Sequence, residues 1–151
     1  TRDAVNEGNV DYAAKLLTRP FPMSGLVVEG DKIGRTIGFP TANLEIATEL
    51  KIYPANGVYV ILTRVKGESK WLQGMLNIGN RPTISSNEHP TIEVHIFNFD
   101  EDCYGKTLDV LFIKRLRDEL KFNSLDELKV ALEYDKKAAC EILDNLNLAE
   151  L

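Results

Sequence analysis

From Met23 onward the chain alternates short apolar runs with polar, glycine-containing breaks: "SGLVVEG", "GVYVILTRV", "WLQGMLNIG", "TIEVHIFNF" and "TLDVLFIKRL". Runs this short, rich in β-branched and aromatic residues and bounded by turn chemistry, predict strands of a meander, an antiparallel sheet or a small barrel. Side chains of a strand alternate between its two faces. In "TIEVHIF" this sets Ile92, Val94 and Ile96 on one face and Glu93, His95 and Phe97 on the other. "VKGESK" reads as a hairpin loop, whereas "NRPTISSNEHP" and "NFDEDCYGK" are longer, polar loops of the kind that carry binding groups.

The two ends of the chain follow a different period. Ser124 followed by Glu127 makes an S-x-x-E capping box, and Leu125, Leu128, Leu132, Ala139, Ile142, Leu143 and Leu146 trace one stripe of a helix. That stripe should pack on the sheet, giving a mainly β protein, a β-barrel with a C-terminal helix across it. Residues 1–20 suit short helical pieces broken around Gly8 and ended before Pro20. They are too few to form a domain, and the 151 residues predict one domain with its own core.

A formal net charge of -5 argues against a partner gripped through nucleic-acid phosphates, so an anionic ligand would have to be caught locally. No apolar run approaches the roughly 18 residues of a membrane span, and residues 1–25 lack the basic start and apolar centre of a signal peptide. Cys103 and Cys140, two lone cysteines, suit a reducing, cytoplasmic setting better than a disulfide scaffold or a zinc site.

The chemistry concentrates in "GDKIGRTIGFPTAN". The nearest approach to a Walker A loop, "GLVVEGDK", fails because Asp31 stands where the lysine belongs. Gly30, Gly34 and Gly38 nevertheless allow close backbone approach to a polyphosphate, and Lys32 and Arg35 add local positive charge. Thr41 and Asn43 carry hard neutral oxygens suited to a Mg²⁺ shared with phosphates. A glycine-rich surface turn accounts for the same residues. Glu93 is either a solvated strand carboxylate or a general base, with His95 on the same face as the other candidate base. "NFDEDCYGKTL" is not an EF-hand, because Tyr104 and Leu111 occupy ligand positions. Arg117 and Phe122 could hold an aromatic ligand, or simply serve a core arginine and phenylalanine beside a helix start.

Taken together, "GDKIGRTIGFPTANL", "YPANGVYV", "NIGNRPTI", "TIEVHIFNFDEDCYG" and "LRDELKFNSLDEL" resemble the riboflavin kinase family, in particular the C-terminal kinase module of bacterial bifunctional riboflavin kinase/FAD synthetases. The resemblance runs from about Phe21 to about Leu143. It implies a six-stranded antiparallel Greek-key barrel with a C-terminal helix, and a kinase that uses ATP and Mg²⁺ to convert riboflavin to FMN, releasing ADP. By the same resemblance Glu93 is the catalytic glutamate, and Thr41 and Asn43 meet the metal. Gly30, Lys32, Arg35, Thr41, Asn43, Ile96, Asn98 and Tyr104 belong to the nucleotide pocket, while Arg117 and Phe122 meet the flavin. Asp118 and Leu120 stand where relatives often carry a proline and a basic residue. Residues 1–20 resemble the linker from an adenylyltransferase module and 21–151 the kinase domain, so FMN adenylyltransferase activity is not expected of this chain. Non-enzymatic flavin or nucleotide binding is the alternative reading of the same barrel.

Overall fold

The computed structural model describes residues 21–28, 41–46, 54–79, 91–98 and 104–145. Six strands, β1 (Phe21–Val28), β2 (Ala42–Glu45), β3 (Gly57–Val65), β4 (Leu72–Gly79), β5 (Thr91–Ile96) and β6 (Thr107–Arg117), precede one described helix, α1 (Leu125–Asp144). The strands close into a barrel in the order β1-β2-β5-β4-β3-β6, every neighbour antiparallel. Strands β3, β4 and β5 run consecutively and β6 returns beside β3, which is the Greek-key arrangement. Closure leaves no sheet edge open to another chain.

Alternation explains the two cores. Inward residues from all six strands, among them Leu44, Tyr59, Ile61, Leu76, Ile78, Ile92, Val94, Leu108 and Phe112, fill the barrel. Outward residues Val60, Leu62, Met75 and Phe97 form a second cluster with Ala139 and Leu143 of α1. The helix thus covers the outside of β3 and β4 rather than capping an open end. Phe97 lies with this outer cluster, as the alternation in "TIEVHIF" predicts.

Local signals held where they were strong. Gly67, at φ 97°, turns the β3–β4 hairpin, and the Glu68 amide donates to the Val65 carbonyl at 2.9 Å. Ser124 Oγ accepts from the Glu127 amide at 3.2 Å, starting α1. The returning bond of the capping box comes one residue early, from the Asn123 amide to Glu127 Oε2 at 3.0 Å. Three details differ from the sequence reading. Leu125 is exposed, because it begins the first turn beyond the reach of the barrel wall. Ala42–Glu45 form a strand within what reads as a loop. Asp135, a charged residue on the helix, is buried. Leu146, the predicted linker 1–20 and Cys103 lie outside the described residues, and Cys140 is a free thiol packed against the outer cluster. Among the described residues no helix is long and apolar enough to cross a membrane.

Candidate active site

A cavity of about 250 Å³ opens on the outside of the barrel, between β4, β5, the end of β6, the 118–122 segment and the first turns of α1. Its wall includes Thr41, Asn77, Glu93, His95, Arg117, Glu119 and Phe122, with Val58, Met75, Leu128 and Leu132 as an apolar floor and side.

Strand register explains why these residues meet. Asn43 on β2 pairs with Glu93 on β5, Glu93 with Asn77 on β4, Asn77 with Val58 on β3, and Val58 with Arg117 on β6. Directly opposed residues of antiparallel strands project to the same face. One transverse row of the wall therefore carries Asn43, Glu93, Asn77, Val58 and Arg117 in that order, spanning about 19 Å at roughly 4.8 Å per strand.

At one end of the row, Asn43 is 9% exposed, and its Oδ1 is buried without a hydrogen-bond partner among the described residues. Such an atom carries a desolvation cost unless something else satisfies it. Thr41, two residues earlier, lines the cavity. No group of three or more His, Cys, Asp and Glu among the described residues could hold a metal ion. Two neutral oxygens fit a Mg²⁺ that keeps waters and shares a polyphosphate, an ion that needs few protein ligands.

The other end is built around Arg117. Its Nε donates to Asp135 Oδ1 at 3.0 Å and Oδ2 at 3.1 Å, its Nη2 donates to Asp135 Oδ2 at 2.8 Å, and its Nη1 donates to the Asp118 carbonyl at 3.0 Å. This fork fixes the guanidinium plane, which lies 5.7 Å from the Phe122 ring centroid. The burial of Asp135 is thereby explained: it is the counter-charge of Arg117, and it ties α1 to the end of β6. Gly79 lets the adjoining segment lie close, since a Cβ there would stand 2.5 Å from Glu119 Oε1.

Thr41, Glu93, Arg117 and Phe122, widely separated in sequence, share the cavity, and Asn43 adjoins Glu93 in the row. His95 is buried in the same wall, edge-on to Phe97 at 5.6 Å between ring centroids. The remaining nucleotide-pocket candidates are elsewhere. Ile96 points into the barrel interior, so only its backbone is available to a ligand. Asn98 sits in a turn at φ 55°, and Tyr104 is 59% exposed; neither lines the cavity. Gly30, Lys32 and Arg35 lie outside the described residues. Two residues of the arrangement, Asn77 and Asp135, were not singled out from sequence. Asn77 stood in the quoted "NIGN" stretch, and its pairing with Glu93 appears only once β4 and β5 are in register.

Barrel, cavity and row define a small-molecule-binding Greek-key β protein with a carboxylate set between an unsatisfied amide oxygen and an arginine–phenylalanine pair. The chain belongs to the flavokinase family, described as riboflavin kinase, whose profile matches residues 17–143. Similar proteins include bifunctional riboflavin kinase/FMN adenylyltransferases of Bacillus subtilis, 42% identical over 147 residues (96% of this chain and 46% of that protein), and of Escherichia coli K12, 42% identical over 140 residues (93% and 44%). The chain thus spans less than half the length of these curated relatives. Among solved structures, riboflavin kinase from Trypanosoma brucei is 25% identical, with a TM-score of 0.60, over 87% of this chain and 84% of its own. A Streptococcus pneumoniae structure titled as a macrolide-efflux protein is 38% identical, with a TM-score of 0.85, over 97% of this chain and 45% of its own.

Proposed function

We propose that the chain transfers the γ-phosphoryl group of ATP to the 5′-hydroxyl of riboflavin, giving FMN and ADP. The observation that carries this reading is the position of Glu93, in the cavity wall, beside the orphaned oxygen of Asn43 and on the same row as Arg117. A ligand with a planar ring system can lie against the Arg117–Phe122 pair while its terminal hydroxyl reaches Glu93. The Glu93 carboxylate accepts the hydroxyl proton as the oxygen bonds to the γ-phosphorus and the bond from that phosphorus to the bridging oxygen breaks, releasing ADP.

Thr41 and Asn43 would hold Mg²⁺ with the nucleotide phosphates, and the bound ion supplies neutralisation of charge on the transferring group. Gly30, Lys32, Arg35, Ile96 through its backbone, Asn98 and Tyr104 are proposed for the rest of the nucleotide. Most of the rate enhancement comes from positioning and electrostatics, with proton removal contributing about 10²–10⁴-fold. We assign residues 21–151 to the kinase domain and residues 1–20 to a linker from an adenylyltransferase module, a division supported by the bifunctional relatives.

Incubation with riboflavin, ATP and Mg²⁺ followed by chromatography should yield FMN and ADP in equal amounts. Flavin binding without FMN would establish the non-enzymatic alternative, and FAD in the same trace would overturn the assignment to a lone kinase module.

A further inference from the structure

Between the proposed base and the arginine–phenylalanine pair, the row holds one polar residue, Asn77. It lines the cavity, is half-buried, and stands directly opposite Glu93 across the β4–β5 pair. On its other side Val58 is apolar and 4% exposed, and beyond that lies Arg117. Any acceptor that rests its rings at Arg117 and offers a terminal hydroxyl to Glu93 must pass its linking chain over Asn77.

We infer that Asn77 is a specificity-determining residue, whose carboxamide hydrogen-bonds a hydroxyl in the middle of the acceptor's polyol chain. The inference rests on the kinase reading of the cavity and deepens it. The spacing supports it: neighbouring strands stand about 4.8 Å apart, and a tetrahedral carbon chain advances about 1.3 Å per bond, so Asn77 lies three to four bonds from the reacting carbon. In a five-carbon polyol that is the 2′ or 3′ position. A carboxamide suits this task because it both donates and accepts, as a hydroxyl does, and it places no second charge beside Glu93. A site built to hydrogen-bond a hydroxyl discriminates against the analogue that lacks it, because its own polar group is then left unpaired.

The test titrates wild type, Asn77→Ala and Asn77→Ser with riboflavin and with its 2′-deoxy and 3′-deoxy analogues. Binding is read by quenching of flavin fluorescence and turnover by FMN-type product, with circular dichroism as the folding control. Wild type should bind and turn over one deoxy analogue about tenfold less well than riboflavin, a preference that both variants reduce to about twofold. Equal treatment of riboflavin and both analogues by wild type, or an undiminished preference in a folded variant, would overturn the role of Asn77. Wild type that binds riboflavin with this preference yet makes no FMN would refute the kinase reading while leaving the Asn77 contact standing; no riboflavin binding at all would overturn both. As an independent readout, Asn77→Asp sets a like charge opposite Glu93 and should move the acid limb of the kcat profile upward by about one pH unit. An unmoved limb in that folded, active variant would argue against Asn77 adjoining the base.

Discussion

Three buried polar side chains illustrate how single residues divide between chemistry and support. Glu93→Gln keeps the size and hydrogen-bonding capacity of the side chain and removes its basicity. Turnover should fall by about 10²–10⁴-fold with the fold and nucleotide affinity retained, and a near wild-type rate would refute its role as base. Asp135 is a supporting residue: its side chain is 8% exposed and neutralises an arginine whose side chain is 22% exposed. Asp135→Ala should destabilise by on the order of 3 kcal/mol, because it leaves Arg117 partly buried and uncompensated, and denaturant unfolding should show this as a lowered midpoint. Tyr59 is fully buried, its hydroxyl donating to the Ala55 carbonyl at 2.5 Å. Burial raises its phenol above the ordinary value of 10.0, against a smaller lowering by Arg115. The unfolded chain therefore ionises first: the stability contributed by this group is complete below pH 10 and is lost as pH rises through the folded value. Tyr59→Phe should be less stable at pH 8, through loss of the hydrogen bond, and should lose less stability than wild type between pH 9 and 11 in urea titrations.

Elements were legible in proportion to how far their structure rests on local interactions. Helix α1 begins at its serine cap because that bond involves residues three apart, and Ser124→Ala should cost about 1 kcal/mol, lowering Tm by about 3 °C. Strand β2 was not distinguished because four residues following a proline show too little alternation; its strand conformation depends on partners β1 and β5. Alternation also fails in β6 beyond Phe112. Register shifts there pair Ile61 with Phe112, Val60 with Lys114, Tyr59 with Arg115 and Val58 with Arg117, leaving Ile113 and Leu116 as extra residues. Such bulges re-aim side chains, and here they bring Arg117 to the outer face, where Asp135 awaits it. Gly57 allows this end of the barrel to close, since a Cβ there would lie 2.5 Å from the Arg117 carbonyl oxygen. Gly57→Ala should separate β3 from β6 at that point, destabilising the barrel and raising the flavin KM more than the ATP KM.

At the scale of the whole molecule, two packed layers share one barrel wall: an apolar interior fixes the strands, and the exterior is divided between the helix contact and the cavity. The strand pattern, the helix and its cap, and the inward and outward sets of β5 could all be read from the amino-acid order. Each depends on periods of two or 3.6 residues, or on contacts within one turn. The motifs naming Thr41, Asn43, Glu93, Arg117 and Phe122 were legible as well, through their order and spacing. Their convergence was not, because residues as distant in sequence as Asn43 and Arg117 come onto one row only when five strands are hydrogen-bonded in register. The same closure decided that the cavity lies outside the barrel, that Asp135 is buried as the partner of Arg117, and that Asn77 stands between the base and the aromatic pair. Local chemistry determined which elements form; the long-range pairing that repays the entropy of chain closure decided which side chains face one another.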